Sequence, residues 1–515
     1  MRSFLKALSK IIFSRTLIIA LMVLAQAVVI IAALTYLKNY FPALMEIVAL
    51  VGTLVLISII NDDEPAEFKL TWAIFVCIFP ILGALIYAYV KSNWGMVGLR
   101  KKVREEKEHT DGILSTSKGT RNALERESRS FQHFAFYMEN VCGYPVFHNT
   151  YTTYYPTGEA TIAAIKEELK KARKYIFLEF FIIDHGEVWD SILEILEEKV
   201  KEGVEVRVMY DGLCSLRLLP YYYPKKLAEK GIKAKMFAPV VPFLSTSQNN
   251  RDHRKIVVID GEVAFTGGVN LADEYANLKE RFGYWKDAGI RLEGRAVMSF
   301  SLMFMQMWNI YGKENMDYKS YLLEDPLREH KEHDGFVIPY ADTPTTKSEI
   351  GKNVYEDIFQ HATEYLHVMT PYFIVDREFL SLMKYTALRG IEVKMILPHI
   401  PDKKYAFLIA QTFYPELLEA GVKVYEFIPG FVHSKVMVAD DRMGTCGSVN
   451  LDYRSFYHHF ENGVILYENS SVKEIEKDFQ QTLKQCMEVT PEYYQKIGVF
   501  KKLLGRTLRL IAPLM

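Results

Sequence analysis

Two stretches of this chain repeat one pattern, and the repeat strongly limits what the chain can fold into. HRKIVVID at 253–260 and HSKVMVAD at 433–440 both read HxKxxxxD, and each is followed by a second shared phrase, GGVN at 267–270 and GSVN at 447–450. A single HxK is common in unrelated sequences. Two copies with matching tails indicate two similar halves that assemble one active site, and they point to transfer at a phosphodiester.

The sequence around these motifs also repeats. Residues 172–182 and 362–372 both read as a helix end followed by a buried strand. Each half predicts β-α-β-α-β and then the HxK strand, which is typical of an α/β sandwich with mixed sheets. We therefore predict the α/β class, with two similar halves related by a pseudo-two-fold axis, at residues 131–330 and 331–515.

The N-terminal part of the chain is strongly apolar. Three apolar runs without Lys, Arg or Asp lie at residues 17–37, 43–60 and 70–90. Each is about long enough to span a bilayer, and Pro80 in the third run is tolerated in a membrane helix when neighbours satisfy the freed backbone. We predict an α-helical membrane anchor of two or three hydrophobic helices over residues 1–95, followed by a linker over residues 96–130.

The charges that flank these runs bear on topology. Basic residues precede the first run and follow the third from Lys91 onward, whereas the loop at residues 61–69 is acidic. The positive-inside rule would place both basic flanks in the cytoplasm and the acidic loop outside, which three complete spans cannot do. Either the first run does not cross fully or the short N-terminus lies outside. Both alternatives predict a multi-pass protein of the cell membrane with its catalytic halves on the cytoplasmic side.

Composition restricts the partners. A formal net charge of −1 argues against a globally basic nucleic-acid binder, and the five cysteines form no CxxC pair or metal-like cluster. We predict no metal, no cofactor and no nucleic-acid partner, and the oligomeric state stays open. The tail at residues 496–515 is basic and amphipathic, which suits an anionic membrane surface, with docking on the protein's own core as an equal alternative.

The motif histidines and lysines can support phosphoryl transfer. Residues i and i+2 of a strand share a face, so His253 should point with Lys255, and His433 with Lys435. One imidazole can attack phosphorus to form a phosphohistidine, while the other protonates the leaving alkoxide and then deprotonates the incoming alcohol, without a metal. The two lysines would hold the non-bridging oxygens.

Four further residues complete the predicted polar shell. Asn270 and Asn450 can donate hydrogen bonds to the same phosphate oxygens. A nucleophilic histidine also needs its far nitrogen oriented by a carboxylate. Asp287 in YWKD and Glu461 in HHFEN lie at comparable places downstream of the motifs and are the candidates.

The motif aspartates do not follow the strand parity of His and Lys. Asp260 and Asp440 lie at odd separation from their histidines and begin turn-like steps. We expect them to be mainly architectural or salt-bridge partners, and we keep both among the catalytic candidates because a direct role is the alternative. His458 and His459 are adjacent, so on a strand they face opposite ways, and we expect a structural role for them rather than a shared metal.

From about Phe131 to its C-terminus the chain resembles the phospholipase D superfamily, and within it the bacterial cardiolipin synthases. The superfamily resemblance rests on both HxKxxxxD motifs, TGGVNLADEY at 266–275 and GSVNLDYRSF at 447–456. The narrower resemblance rests on the apolar N-terminus, YWKD, TPYFIV at 370–375 and the basic, Leu-rich ending. That family is typically described with two membrane helices, so three apolar runs depart from its pattern.

The resemblance implies a phospholipase D-like fold and metal-independent transphosphatidylation. Two phosphatidylglycerol molecules would give cardiolipin and glycerol through a phosphohistidine, with anionic membrane lipids as partners. By similarity His253 is the nucleophile and His433 the acid and base, although the halves are too alike for the sequence to decide the order. The alternatives are a hydrolytic membrane phospholipase D that yields phosphatidic acid, and a membrane-tethered nuclease or other phosphodiesterase.

Overall fold

The computed structural model of the protein describes residues 24, 26, 28, 41–92, 94–148, 150–239, 249–311, 314–322, 334–345 and 348–514. These residues form two compact units. The smaller unit contains the described residues up to 98, with 249 and 510–514, and the larger unit contains those from 99 to 239 and from 250 to 509. Almost all of the predicted apolar run at residues 17–37 lies outside the described residues.

The strands of the larger unit divide between two halves. The first half contains β1 Thr150–Tyr155, β2 Tyr175–Phe180, β3 Glu205–Asp211, β4 Lys233–Phe237, β5 Lys255–Ile259, β6 Val263–Gly267, β7 Tyr284–Lys286 and β8 Gly289–Gly294. The second half contains β9 Phe336–Asp342, β10 Tyr365–Met369, β11 Phe373–Ile374, β12 Glu392–Pro398, β13 Lys423–Phe427, β14 Gly430–Val432, β15 Val436–Ala439, β16 Met443–Gly447, β17 Leu451–Asp452, β18 Glu461–Tyr467 and β19 Cys486–Glu488.

Two mixed sheets repeat one topology. The first sheet has the order β1-β8-β6-β5-β2-β3-β4, and the second, read from its other edge, has the order β9-β18-β16-β15-β10-β12-β13-β19. In both sheets the strand that follows the HxK motif, β5 or β15, pairs antiparallel with the first buried strand, β2 or β10. The predicted α/β class and its duplication are confirmed, with β19 as an additional edge strand.

The described helices are numbered in chain order. They are α1 Phe41–Ile60, α2 Ala66–Ile78, α3 Pro80–Ser92, α4 Trp94–Thr110, α5 Lys118–Leu124, α6 Arg129–Tyr137, α7 Gly158–Leu169, α8 Glu187–Lys201, α9 Cys214–Arg217, α10 Tyr223–Glu229, α11 Val297–Ile310, α12 Ile350–His361, α13 Arg377–Leu388, α14 Lys404–Gln411, α15 Tyr414–Glu419, α16 Tyr453–Tyr457, α17 Ser470–Leu483, α18 Pro491–Lys496 and α19 Val499–Ile511.

One hydrophobic cluster joins the two sheets of the larger unit. It contains β2 and β5 side chains such as Phe177 and Val258, the β15 side chain Val438, and most of the buried helix α11. Phe177 stacks on Phe304 of α11, with ring centroids 4.6 Å apart. Because truncation of a buried Phe typically costs about 3–5 kcal/mol, this shared core holds both halves in one body and fixes the sheets that carry the motifs.

The segment expected as a linker is helical. Residues 96–130 include most of α4 and all of α5. Leu99 and Val103 of α4 pack against the shared cluster, and the Lys102 side chain donates a hydrogen bond to the Ile310 carbonyl at the end of α11. From residue 99 onward this segment therefore belongs to the folded body of the larger unit.

The basic tail forms helix α19, with two contrasting faces. Gly505 packs against the Leu408 carbonyl, and the Arg509 guanidinium lies 3.8 Å from the centre of the Phe413 ring. Val499 and Phe500 are 81% and 77% exposed. The helix thus docks on the protein through one face and exposes apolar side chains elsewhere. Docking on the protein's own core and contact with a membrane surface therefore both have a physical basis.

In the smaller unit the third apolar run is a helical hairpin instead of one helix. Helix α2 ends at Ile78, and α3 begins at Pro80. The Trp72 and Tyr87 rings approach to 5.5 Å across the hairpin, and Gly83 lies so close to α2 that a Cβ there would be 2.8 Å from the Val76 Cα. The expectation that Pro80 lies inside a continuous helix is wrong, because proline fits the first position of a helix, where no N–H is needed.

The hairpin also changes the expected distribution of charge. Lys91 at the end of α3 pairs with Asp62 and with Glu64, at 2.7 Å for the latter, in the loop before α2. The acidic loop and Lys91 therefore lie at the same end of the hairpin. One straight crossing over residues 70–90 would instead have placed the loop and the basic flank at opposite ends.

Complete membrane spans are not supported. Among the residues that the structure describes, no helix combines the length and the apolarity that a crossing requires. Helices α2 and α3 have 13 residues each, which at 1.5 Å per residue gives about 20 Å against a hydrocarbon core of about 30 Å. The expected multi-pass arrangement accordingly finds no support here.

Both motif aspartates bind the backbone at the start of the first buried strand. Asp260 accepts hydrogen bonds of 2.7–2.8 Å from the N–H groups of residues 173–175, and Asp440 accepts bonds of 2.7–2.9 Å from those of residues 363–365. Their φ angles are +55° and +56°. Each carboxylate ties the turn after the HxK strand to the strand beside it.

We predict that Asp260→Asn destabilises the protein. Asparagine tolerates the left-handed conformation, so the substitution chiefly weakens hydrogen bonds to a charged acceptor, at a cost of about 1–3 kcal/mol in the free energy of unfolding. Chemical denaturation of the full chain in detergent micelles measures this. A variant that unfolds like the parent yet has no activity would instead favour a catalytic role for Asp260.

Candidate active site

One backbone contact between the halves places His433 beside Asp287. Strand β14 runs parallel to β7, with Val432 in register with Lys286. The residues that directly follow this pair in the sequence are His433 and Asp287. The His433 N–H donates to the Lys286 carbonyl at 2.7 Å. A histidine of the second half is thus held against a carboxylate of the first.

A second contact repeats this arrangement with the halves exchanged. Asp252 forms a parallel bridge with Phe460, and the residues that follow are His253 and Glu461. The His253 N–H donates to the Phe460 carbonyl at 2.9 Å. Each motif histidine is therefore in register with a carboxylate from the opposite half.

Two glycines allow β7 and β14 to meet. A Cβ on Gly430 would lie 2.2 Å from the Tyr284 carbonyl oxygen, and a Cβ on Gly283 would lie 2.4 Å from the Pro429 carbonyl oxygen. Gly283 also has φ +69°, in the left-handed region. A side chain at either position would push the halves apart and move His433 away from Asp287.

The crossed pairs fix the tautomer of both imidazoles. His253 Nδ1 lies 2.9 Å from each carboxylate oxygen of Glu461, and His433 Nδ1 lies 2.7 Å from Asp287 Oδ2. An ionised carboxylate only accepts, so Nδ1 carries the proton in each ring. The opposite nitrogen, Nε2, is left with its lone pair for chemistry.

Burial sets the charge of these groups. It lowers the pKa of His253 well below its ordinary value, and burial followed by the nearby Lys435 charge lowers the pKa of His433 to about 4. Burial alone would raise the pKa of the two carboxyls, but the facing imidazoles hold the pKa of Asp287 and Glu461 below the ordinary range. In the free protein at neutral pH both imidazoles are neutral and both carboxylates are charged.

The two motif lysines are buried, and their charge depends on pH. Lys255 and Lys435 are 2% and 1% exposed, and each donates to the carbonyl of its own motif histidine. Burial lowers the pKa of Lys255 to about 8. Burial, together with the charge on Lys255, lowers the pKa of Lys435 to about 7. Because Lys255 of the first half lowers the pKa of Lys435 of the second half, both halves contribute charge to one site.

The motif residues precede the strands that were expected to contain the histidines. Strand β5 begins at Lys255 and β15 at Val436, so the extended backbone at His253 and His433 pairs with the other half instead of a sheet neighbour. Arg254 turns to the opposite side, where it pairs with Glu179 and Asp252. The backbone of each motif histidine is therefore held by a contact with the other half, and not by the sheet pairing from which we expected His and Lys to share a face.

The two asparagines differ in their surroundings. Asn270 accepts from the Ile182 N–H at 3.0 Å and donates to the Tyr275 hydroxyl at 2.9 Å, so its side chain is engaged in loop contacts. The Asn450 side-chain oxygen is buried without a hydrogen-bond partner among the described residues. Neither arrangement was evident from the matching GGVN and GSVN letters.

Sequence reasoning missed two polar residues beside Glu461. The Ser448 hydroxyl donates to the Glu461 carboxylate, and Asn462 accepts from the Lys255 N–H at 3.2 Å. At the position matching Ser448, a Cβ on Gly268 would lie 2.1 Å from Asp287 Oδ1. The sequence signal for this difference was the single letter that distinguishes GGVN from GSVN. Serine stands beside Glu461, whereas glycine leaves room for the shorter Asp287 to lie close to the backbone.

Aromatic rings enclose the imidazoles. Phe181 contacts His253 edge-on with centroids 4.9 Å apart, and Tyr275 and Trp285 lie 5.4 and 5.1 Å from His433. His459 is buried beside His253, with ring centroids 5.4 Å apart. These walls limit access of water and strengthen the electrostatic interactions inside the site.

Taken together, the site offers two nucleophilic nitrogens, two orienting carboxylates and two cations in a water-poor setting. This arrangement can bind a phosphodiester anion between the lysines, attack it with one imidazole and move a proton with the other.

The family models match both halves and the N-terminal region. The model described as "Cardiolipin synthase, PLD-like domain" matches residues 165–287 and 355–483. The model described as "Phospholipase_D-nuclease N-terminal" matches residues 50–90, which include most of the helical hairpin.

Similar proteins match over most of the chain. A protein of Streptococcus mutans serotype c described as uncharacterized is 45% identical over 89% of this chain and 98% of its own length. A cardiolipin synthase of Halalkalibacterium halodurans is 34% identical over 90% of this chain and 92% of its own length. The crystal structure of phosphatidylserine synthase from Haemophilus influenzae Rd KW20 shares the fold, with a TM-score of 0.56 and 16% identity over 75% of this chain and 98% of that chain.

We predict that anion binding weakens as the pH rises through about 7 to 8. The pKa values of Lys435 and Lys255 are lowered to about 7 and about 8, so both lysines are charged below this range and neutral above it. Dimethyl phosphate keeps one negative charge throughout, and its affinity should fall roughly tenfold between about pH 6 and about pH 9. Isothermal titration calorimetry on the full chain measures the affinity.

A lysine outside the site provides the control. Burial lowers the pKa of Lys235 to about 8 as well, but this side chain donates to the Trp308 carbonyl. Lys235→Met should leave the pH profile of dimethyl phosphate binding unchanged, whereas Lys435→Met should remove most of the binding. An affinity that does not vary with pH would contradict the prediction.

Proposed function

Because this chain belongs to the family of phospholipase D-like cardiolipin synthases and is a phospholipid transferase, we propose that it converts two phosphatidylglycerol molecules into cardiolipin and glycerol. The single observation that best supports the proposal is the pair of crossed contacts, His253 with Glu461 and His433 with Asp287. They provide two oriented imidazoles, which a two-step transfer requires, one as nucleophile and one as acid and base.

In the first proposed step the phosphodiester of one phosphatidylglycerol lies between Lys255 and Lys435. The His253 Nε2 lone pair attacks phosphorus, the bond from phosphorus to the glycerol headgroup oxygen breaks, and His433 gives that oxygen a proton. The pKa of His433 is about 4 in the free protein. An anion bound beside the ring favours its protonated form, so the substrate's own charge prepares the acid.

In the second proposed step a second phosphatidylglycerol replaces the released glycerol. His433 accepts the proton of its free hydroxyl, the hydroxyl oxygen attacks the phosphohistidine, and the phosphorus–nitrogen bond to His253 breaks. Cardiolipin forms and both histidines return to their starting states. Water in place of the second lipid would give phosphatidic acid, so enclosure by rings such as Phe181 and Trp285 favours transfer over hydrolysis.

Exposed apolar surface supports membrane association as part of the proposal. In the smaller unit Leu50, Leu54 and Leu85 are 61%, 58% and 62% exposed, and on α19 Phe500 is exposed beside basic residues. Surfaces of this kind suit contact with an anionic bilayer. We place the catalytic unit on the cytoplasmic side because of the basic residues at 100–104, and we propose no number of crossings.

We predict that the purified protein converts labelled phosphatidylglycerol into cardiolipin with an equal amount of glycerol. His253→Ala and His433→Ala should each lower the rate by at least about a thousandfold, whereas His133→Ala, at an exposed position on α6, serves as the matched control. A chelator should not lower the rate. Phosphatidic acid as the main product would make the protein a hydrolase, and loss of activity on chelation would contradict a metal-free reaction.

A substrate with a better leaving group should separate the two histidines. Release of p-nitrophenolate from a phosphatidyl-p-nitrophenol needs little help from an acid. The first turnover should therefore survive in His433→Ala and be lost in His253→Ala, as followed by the absorbance of p-nitrophenolate in a burst experiment. The opposite result would exchange the roles of the two histidines.

A further inference from the structure

His459 is a buried imidazole whose nitrogens make no hydrogen bond within the part of the chain that the structure describes. Its side chain is 9% exposed, and neither Nδ1 nor Nε2 has a hydrogen-bond partner among the described residues. Nδ1 lies 3.8 Å from Glu461 Oε1. A buried polar atom left in this state costs about 1–3 kcal/mol, so the geometry calls for something that these nitrogens can bind.

The other half of the site shows what packing alone would require. His459 lies two residues before Glu461, and Trp285 lies two residues before Asp287. Each of these rings contacts the motif histidine that its neighbouring carboxylate orients, at 5.4 Å for His459 and 5.1 Å for Trp285. A tryptophan fills this place around His433. Packing therefore does not explain why a metal-binding side chain stands in the corresponding place around His253.

The three side chains bring together ligand atoms of the kinds that a transition metal binds. One nitrogen from each of His253 and His459 and one oxygen of Glu461 lie within 4.8 Å of one another. Zinc binds such atoms at about 2.0–2.2 Å, so each group would need to move by roughly 1 Å to close on the ion. Two imidazoles and one carboxylate are a common zinc set, and they leave a fourth position for water or an anion.

We propose that His253, His459 and Glu461 bind Zn²⁺ and that the bound ion inhibits the enzyme. Glu461 would exchange part of its contact with His253 for the metal, and both the orientation and the lone pair of His253 would be lost to the reaction. The inhibitory part rests on the proposed function, in which His253 attacks phosphorus. The binding part does not depend on any reaction.

Zinc binding can be measured without turnover. The full chain in detergent micelles, first stripped with a chelator, is titrated with Zn²⁺ in competition with a chromogenic zinc indicator. We expect one tight site per chain. His459→Phe keeps a ring and removes both ligand nitrogens, and should weaken this site by at least roughly tenfold. Trp285→Phe is the matched control in the other half and should leave zinc affinity unchanged.

Unchanged zinc affinity in His459→Phe would overturn the proposal. Cobalt(II) supplies a second measurement on the parent protein, because a His and carboxylate site lacks the intense thiolate charge-transfer absorption that a site at a cysteine such as the exposed Cys77 would show. A thiolate band from the tight site would likewise overturn it.

Inhibition is tested separately in the phosphatidylglycerol assay. Zn²⁺ should stop cardiolipin formation, a chelator should restore it, and the inhibitory concentration should rise at least roughly tenfold in His459→Phe relative to the activity of that variant without metal. If metal-free protein makes no cardiolipin but the zinc titration gives the expected results, the proposed function fails and the metal site stands. If cardiolipin forms and tight zinc binding is absent, only the metal site fails.

Discussion

Two short parallel backbone contacts between the halves support everything else in the active site. These contacts pair Val432 with Lys286 and Asp252 with Phe460. In each pair the next residue on one segment is a motif histidine and the next residue on the other is a carboxylate, so the two face each other. Side chains held in this way need no flexible search to find their partners. The orientation of both imidazoles, their tautomers and the position of both lysines follow from a backbone register that the shared core of the two sheets holds in place.

In the proposed function, electrostatics couples the site to its substrate. In the free protein the buried lysines and carboxylates balance each other, and burial keeps the imidazoles neutral. A phosphodiester adds one negative charge at the centre of this balance and favours a proton on one imidazole. In the proposed reaction the acid therefore forms when there is a leaving group to protonate, and the same enclosure that perturbs these groups would keep water from competing with an alcohol.

The sequence was sufficient for the sheets and for the identity of most polar groups, because duplication and strand patterns are local. The backbone ties of Asp260 and Asp440 agree with the turn chemistry of their motifs. Pairing between halves is a long-range property, so the sequence could nominate Asp287 and Glu461 without assigning either to a histidine. The bend at Pro80 was missed because an apolar run has the same composition whether it is straight or folded back on itself.

The crossed arrangement affects how such a chain can change over generations. Neither half holds the carboxylate partner of its own histidine, so a substitution of Asp287 or Glu461 acts first on the histidine of the other half. Two identical halves would make both histidines equivalent, whereas one fused chain can hold Glu461 with Ser448 on one side and Asp287 with Gly268 on the other. Joining the halves in a single chain thus allows the two histidines to have different surroundings, which two identical subunits would not allow.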